Sequence, residues 1–213
     1  MKHETVAILG AGKVGGNLGV NLSRHRYRVV FGVRSGRDIA GLLRRCGEGA
    51  RAASVVEAAA AAGVVFLAVP AGAAVEVARS AGDLDGKVVV DCTNPVSWGE
   101  GPTLAPPPEG SVAAALAAAL PRAHVVKGFN SFGAEVHLDP DLGGSPAEVY
   151  LAGDDGTAVE AVGTIAAHCG FAPISVGPLR NAALLEALAV LWIQLATQGG
   201  QGRQFAFRIA RRA

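Results

Sequence analysis

The sequence predicts an α/β protein: a doubly wound parallel sheet with a small C-terminal α/β subdomain that ends in a long apolar helix. Three observations carry that prediction. Short β-branched apolar runs alternate with longer Ala/Leu-rich segments, which is the rhythm of parallel strands joined by helices. The intervening segments have the length that right-handed crossovers need. The chain has 213 residues, half of them hydrophobic, enough to bury one large core.

Taken in order, strands are expected at 5–9, 28–33, 63–69, 87–91 and 124–129, with helices over 13–24, 37–46, 54–62 and 72–81 between the first four. Four prolines between Trp98 and Gly110 exclude a helix or central strand, so this stretch reads as an exposed loop. The alanine run at 113–119, between a capping Ser111 and Pro121, reads as a closely packed helix. After residue 130 comes a loop rich in Asp, Pro and Gly. It is followed by a strand at 148–152, a helix at 157–168 capped by the Asp154-Asp155 pair, a strand at 173–176 and a long helix over roughly 178–198. This divides the chain into residues 1–130 and 131–213, the second serving as an acceptor-side and dimerisation subdomain. The last helix is apolar on nearly every face. Arg180, Glu186, Gln194 and Gln198 interrupt it short of the roughly 20 residues of a membrane span, so it reads as a core helix or dimer contact.

A net charge of +1 provides no field for nucleic acid or an anionic membrane. The start Met1-Lys2-His3-Glu4 lacks the succession of a signal peptide, and Cys46, Cys92 and Cys169 fit neither a disulfide set nor a metal pattern. A cytoplasmic protein with reduced thiols is the expectation. His124, His137 and His168 have no metal-ligand spacing and read as surface or core residues, so no metal is expected. The arginines at 203, 208, 211 and 212 read as a solvated tail.

The chemistry begins at Gly10-Ala11-Gly12-Lys13-Val14-Gly15. With 29 glycines in the chain, the Gly-x-Gly-x-x-Gly spelling would arise by chance in about every second sequence of this composition, so the spelling decides nothing. Its place does. Val6-Ala7-Ile8-Leu9 is a strand, and Asn17-Leu18-Gly19-Val20 continues as a helix. That strand–turn–helix is the opening of a Rossmann-type domain: Gly10 permits the tight turn, Gly12 leaves room for a pyrophosphate, and Gly15 lets the helix lie close to the strand. Free N–H groups and the helix dipole bind the anion.

Cofactor choice is read at the end of the second strand, Phe31-Gly32-Val33-Arg34-Ser35-Gly36-Arg37. Where an NAD enzyme places a carboxylate on the ribose, Arg34, Ser35 and Arg37 stand instead, a set suited to the 2′-phosphate of NADP(H). Ala68-Val69-Pro70 and Thr93-Asn94-Pro95 follow two further strands at the same sheet edge. Ala68, Val69, Pro70, Asn94 and Pro95 are therefore expected to line the ribose and nicotinamide.

With these residues, with Val125-Val126-Lys127-Gly128-Phe129-Asn130 and with Gly177-Pro178-Leu179-Arg180-Asn181-Ala182 running on to Leu185-Glu186, nearly the whole chain resembles one family. This is the NADPH-dependent deazaflavin (coenzyme F-420) reductases, related to the cytoplasmic domain of six-transmembrane metalloreductases. The resemblance implies hydride transfer between NADP(H) and a small-molecule acceptor, a deazaflavin or flavin, stacked on the nicotinamide. Such a reaction needs positioning more than acid–base help. Asn130 falls where a deazaflavin reductase carries histidine and the metalloreductase branch carries asparagine. It is the candidate catalytic residue, its side-chain amide able to donate to a ring oxygen but not to shuttle a proton. An imine or carbonyl acceptor, and a non-catalytic NADP(H)-binding sensor, stay open as alternatives. A homodimer is the expected assembly.

Overall fold

The computed structural model describes residues 4–212; residues 1–3, which open the segment read for a targeting signal, and residue 213 lie outside that range. In chain order the elements are β1 (Thr5–Leu9), α1 (Lys13–Arg24), β2 (Arg28–Gly32), α2 (Ala40–Cys46), β3 (Ala50–Ala53), α3 (Val55–Ala60), β4 (Val64–Leu67), α4 (Ala74–Ser80) and β5 (Val88–Asp91). There follow β6 (Val96–Trp98), β7 (Pro102–Leu104), α5 (Val112–Ala119), β8 (His124–Lys127), α6 (Ala134–Leu138), β9 (Glu148–Gly153), α7 (Gly156–His168), β10 (Ala172–Ser175) and α8 (Ala182–Thr197).

One eight-stranded sheet runs β10-β9-β8-β5-β4-β1-β2-β3. Its neighbours are parallel except β8 and β9, which meet antiparallel through Val126–Gly153 and Lys127–Ala152. The sheet therefore continues across the boundary expected at residue 130.

Period-two alternation sends the side chains of each central strand to opposite faces, and both faces are covered. Val6, Ile8, Val29, Phe31 and Phe66 join Leu18 and Leu22 of α1 and Val162 and Ile165 of α7 in one core. Ala7, Leu9, Val30, Val65 and Leu67 meet the alanines of α3 and α4 and Val112 and Leu116 of α5 in the other. Alanine-rich helices thus lie close on the second face. On the first, a Cβ on Gly19 would stand 2.7 Å from one ring carbon of Phe31, so α1 packs closely there as well.

Four stretches depart from the sequence reading, one of them the loop expected after residue 130, which contains the short helix α6. Ala50–Ala53 is an edge strand paired to β2, and its alanines carry no β signal because pairing alone shapes it. The expected loop contains an antiparallel hairpin, Val96 opposite Leu104 and Trp98 opposite Pro102. A proline opening an edge strand costs no ladder bond there.

The C-terminal tail is docked and not free in solvent. Phe205 stacks on Trp192 at 5.2 Å, Trp192 Nε1 donates to the Phe205 carbonyl, and Arg203 pairs with Glu135 while lying over the Trp192 ring. Further along, the Ile209 amide donates to Glu148. Alternating aromatics at 205 and 207 supply the apolar face that a reading of charge alone misses.

Leu179–Thr197 is long and apolar enough by length and composition to cross a membrane, with mean hydropathy 1.4. Leu185, Glu186, Ala189 and Trp192 on this helix are buried against the domain. All three cysteines are free thiols. Burial pushes the Cys169 thiol up to about 12 and raises the Cys92 thiol further, so neither is a thiolate at neutral pH.

Candidate functional site

The carboxyl ends of β1, β2, β4, β5 and β8 bring the predicted residues to one edge. Gly10 has φ +107°, a left-handed conformation that side chains rarely adopt, and a Cβ there would meet the Ala68 backbone. A Cβ on Gly15 would run into the Gly10 carbonyl oxygen and lie 3.0 Å from Ile8 Cγ2. Around Gly12 nothing stands within 4 Å of that point. The three glycines therefore do three jobs, with two forced by crowding and one leaving open space. Helix α1 starts at Gly12 with no side-chain cap, so its first amides face that space.

Arg34, Ser35 and Arg37 are exposed just beyond β2. The Arg37 amide bonds the Arg34 carbonyl in a tight turn, and its guanidinium reaches back to the Ala11 carbonyl at 3.5 Å. Lys13 and Val14 open α1, with Lys13 exposed. Lys13 is close enough to Glu135 to help Arg203 hold that carboxyl below its ordinary range, against burial, which acts the other way. A Cβ added at Gly10 would also stand 3.0 Å from Val69 Cγ1, so the glycine turn lies close against the end of β4.

Pro70, Asn94 and Pro95 share a cavity of about 560 Å³ with Val75, Val112 and Ala115. Its remaining walls are alanine, glycine, proline and Val96, so no titratable side chain lines it.

Asn130 lies just below this edge, 5% exposed. Asn94 Nδ2 donates to the Asn130 carbonyl at 2.8 Å, which orients the Asn94 amide. Asn130 Nδ2 donates in turn to Asn94 Oδ1 at 2.8 Å and to the Leu185 carbonyl at 2.9 Å. Both acceptors require the nitrogen on that side, so the orientation of the Asn130 amide is determined and its donors are spent. What it retains is Oδ1, buried without a hydrogen-bond partner among the described residues. The group expected to donate to a ring is thus left with an acceptor.

The turn carrying Asn130 is built with care. Phe129 has φ +57° in the core between Phe66 and Phe171, a conformation that persists only where the surroundings impose it. His137 spans the turn, its ring nitrogens 2.9 Å from the Phe129 carbonyl and 3.1 Å from the Gly133 carbonyl. Burial lowers its pKa while both carbonyls act to raise it.

Sequence reasoning missed three fully buried charges. Lys127 Nζ bonds Asp91 Oδ2 at 2.8 Å, Glu186 Oε1 at 3.0 Å and the Thr93 carbonyl at 2.6 Å. Burial raises the pKa of Glu186 and Lys127 opposes that rise. A lysine closing an apolar strand and a glutamate inside an apolar helix were the available signals. Both lie in the stretches that carried the resemblance. The other stretch, Gly177 to Ala182, is a turn into α8: Gly177 has φ +89°, Asn181 Nδ2 donates to the Val176 carbonyl, and Asp154 accepts the Leu179 amide. Asp155 caps α7, as expected. Among the described residues no group of three or more His, Cys, Asp or Glu could hold a metal ion.

The chain is similar in sequence and fold to known reductases. Residues 5–95 match the family described as NADP oxidoreductase, coenzyme F-420-dependent. The chain is 32% identical over 184 residues to the metalloreductase STEAP3 of Rattus norvegicus, covering 86% of this chain and 36% of that protein. It therefore spans about a third of that relative. A crystal structure from Arthrobacter sp. FB24, assigned as an F-420-dependent NADP-reductase, superposes with TM-score 0.87 at 29% identity, over 97% of this chain and 99% of the other. A reductive aminase from Aspergillus terreus, in complex with NADPH and ethyl-5-oxohexanoate, shares the fold at TM-score 0.66 and 20% identity, with 89% of this chain and 60% of that one covered. The resemblance drawn from the residues is thus shown.

Proposed function

We propose that this chain, a relative of the coenzyme F-420-dependent NADP oxidoreductases, transfers a hydride between NADP(H) and a flat ring acceptor, a deazaflavin in the first place and a flavin in the second. The observation that carries the reading is one continuous edge: three glycines with distinct steric roles, two exposed arginines beyond β2, and the Asn94–Asn130 pair beside an uncharged cavity. β2 and β8 are four strand spacings apart in the sheet, about 19 Å at roughly 4.8 Å per strand, so the ends of this edge suit the two ends of an extended dinucleotide.

In this reading the amides at the start of α1 hold the pyrophosphate. Arg34, Ser35 and Arg37 take the 2′-phosphate, and the arginine forks choose NADP(H) over NAD(H). Ala68, Val69 and Pro70 on one side and Asn94 and Pro95 on the other bracket the ribose and nicotinamide. The nicotinamide, when bound, supplies the hydride. Asn130, with both donors spent on Asn94 and Leu185, fixes the floor of the acceptor side and offers Oδ1 to a donor on a ligand.

The cavity favours a ring acceptor over an imine, whose reduction calls for a proton supplied nearby, because none of its lining residues titrates. We also read the protein as a cytoplasmic homodimer that pairs through the exposed side of α8, where Leu184 and Leu191 stand one heptad apart at 67% and 48% exposure.

Anaerobic mixing with NADPH and oxidised deazaflavin tests the activity, with FMN and FAD in parallel. Bleaching of the acceptor's visible absorbance is the expected result. If neither deazaflavin nor flavin is reduced, the proposal is wrong.

A further inference from the structure

The hydride transfer proposed above makes no direct use of the buried charges behind the cleft. Lys127, Asp91 and Glu186 have no exposed side-chain surface. Withdrawing such groups from water is expensive, and apolar residues of similar size often hold a core at least as well. The bonds of this group lead instead to the cleft. Lys127 holds the carbonyl of Thr93, the residue before Asn94. Glu186 follows Leu185, whose carbonyl takes a hydrogen bond from Asn130. Glu186 Oε1 also accepts the Val112 amide at 3.0 Å, and Val112 lines the cavity. Asp91 Oδ1 accepts the Thr93 amide at 2.9 Å, so Thr93 is gripped at both its N–H and its carbonyl.

We propose that Lys127 and Glu186 are positioning residues: the hydrogen bond from Lys127 Nζ to Glu186 Oε1 sets α8 over the ends of β5 and β8 and so holds the Asn94–Asn130 amide pair against the acceptor side of the cleft. The inference rests on reading that cleft as the hydride-transfer site. The linkage is short. The charge anchor at Glu186 is adjacent in α8 to Leu185, whose carbonyl binds Asn130, and the Thr93 anchor is adjacent in the loop to Asn94. A shift of α8 along the sheet therefore moves the Leu185 carbonyl away from the Asn130 amide. Reacting geometries lose on the order of 100-fold in rate for misplacements of about 1 Å.

The test replaces the charges by shape. In the combined variant Asp91→Asn, Lys127→Met, Glu186→Leu, the asparagine keeps an acceptor for the Thr93 amide while the ion pairs are gone. The expected result is a melting temperature lowered by several degrees, because the Val112 amide and the Thr93 carbonyl lose their partners, with NADPH affinity within about twofold, displaced ¹⁵N side-chain amide resonances of Asn94 and Asn130, and kcat with a flavin or deazaflavin reduced roughly 10- to 100-fold.

Glu186→Gln keeps the Oε1 acceptor and is expected to leave the two amide signals and most of kcat in place. Lys127→Arg, too long for the space between Asp91 and Glu186, is expected to displace the signals. It also serves should the combined variant not fold. Unchanged asparagine signals in a folded Lys127→Arg or combined variant would overturn the proposal. So would equal losses of kcat and NADPH affinity, which mark a merely structural role. If the unaltered protein reduces no acceptor, the functional reading fails, and the amide signals still judge the positioning.

Discussion

Gly12 and Gly15 belong to one motif, yet the structure predicts opposite consequences for giving each of them a single methyl group. At Gly15 the added Cβ collides with the Gly10 carbonyl oxygen and stands 3.0 Å from Ile8 Cγ2 and 3.1 Å from Ala68 Cβ. Two of these neighbours belong to the strand core or the backbone of the turn, so relief requires α1 to move away from β1 by about 1 Å, and overpacking of this kind costs about 1–3 kcal/mol. For a chain of this length that is a fall in melting temperature of roughly 2–4 °C per kcal/mol.

At Gly12 the added Cβ meets nothing within 4 Å, and the backbone sits at φ −79°, ψ −163°, which alanine adopts freely. Gly12→Ala should therefore melt at or slightly above the temperature of the parent, since the unfolded chain loses freedom worth about 0.4–1 kcal/mol. The methyl group occupies the open space that the proposed function gives to the pyrophosphate. Losing the approach of one or two charged hydrogen bonds of about 1.5–3 kcal/mol weakens NADPH about 10- to 100-fold. Thermal denaturation followed by circular dichroism and fluorescence titration with NADPH read the two effects separately. The reasoning is refuted if Gly12→Ala destabilises as much as Gly15→Ala, or if it binds NADPH like the parent.

Other expectations follow from single contacts. Arg34→Ala should weaken NADPH by about 1.5–3 kcal/mol while leaving NADH affinity unchanged, and equal losses in a titration of both cofactors would remove Arg34 from the 2′-phosphate site. Ser54→Ala removes one half of the capping box at the start of α3 and should lower the melting temperature by about 2–4 °C at pH 7. The Ser54 amide, and then its hydroxyl, hold the Glu57 carboxyl below its ordinary range. Because the folded value is the lower one, the hydroxyl's share of this contribution is present above the unfolded pKa of about 4.3 and is lost as pH falls through the folded value. The gap between the denaturation curves of parent and variant should therefore narrow in acid without closing, since the bond from the Glu57 amide to the Ser54 hydroxyl does not titrate. Phe205→Ala removes the ring stacked on Trp192 and should free the tail, seen as a red shift in tryptophan emission and faster proteolysis beyond residue 200; unchanged cleavage would show that backbone bonds alone hold it. Leu184→Arg with Leu191→Arg should yield a monomer by analytical ultracentrifugation with NADPH binding intact, and an unchanged sedimentation coefficient would place any dimer contact elsewhere.

The parts of this molecule legible in its sequence are those whose causes are local. Thr5 to Arg24 carry strand, turn and helix in one continuous pattern, because a buried parallel strand needs an apolar run and the turn after it needs glycine at defined offsets. The same holds for the arginines beyond β2 and for the proline and asparagine turns after β4 and β5, which chain order alone sends to one edge of a parallel sheet. Ala50–Ala53 was not legible, since nothing in an alanine run states that β2 will supply its partners. Nor was the hairpin at 96–104, because prolines that forbid a central strand are harmless at an edge.

By itself, then, the sequence determined the fold class, the glycine turn and the residues gathered at the carboxyl edge of the sheet, each set by short-range sterics and hydrophobic period. Only the tertiary structure decided what Asn130 has left to offer. Its two donors are spent on partners 36 and 55 residues away in the chain. The tertiary structure likewise joined Lys127 to Asp91 and Glu186 in the buried interior. Hydrogen bonds and buried charges are matters of geometry between distant segments, and a buried group must find its partner wherever the packed chain puts it.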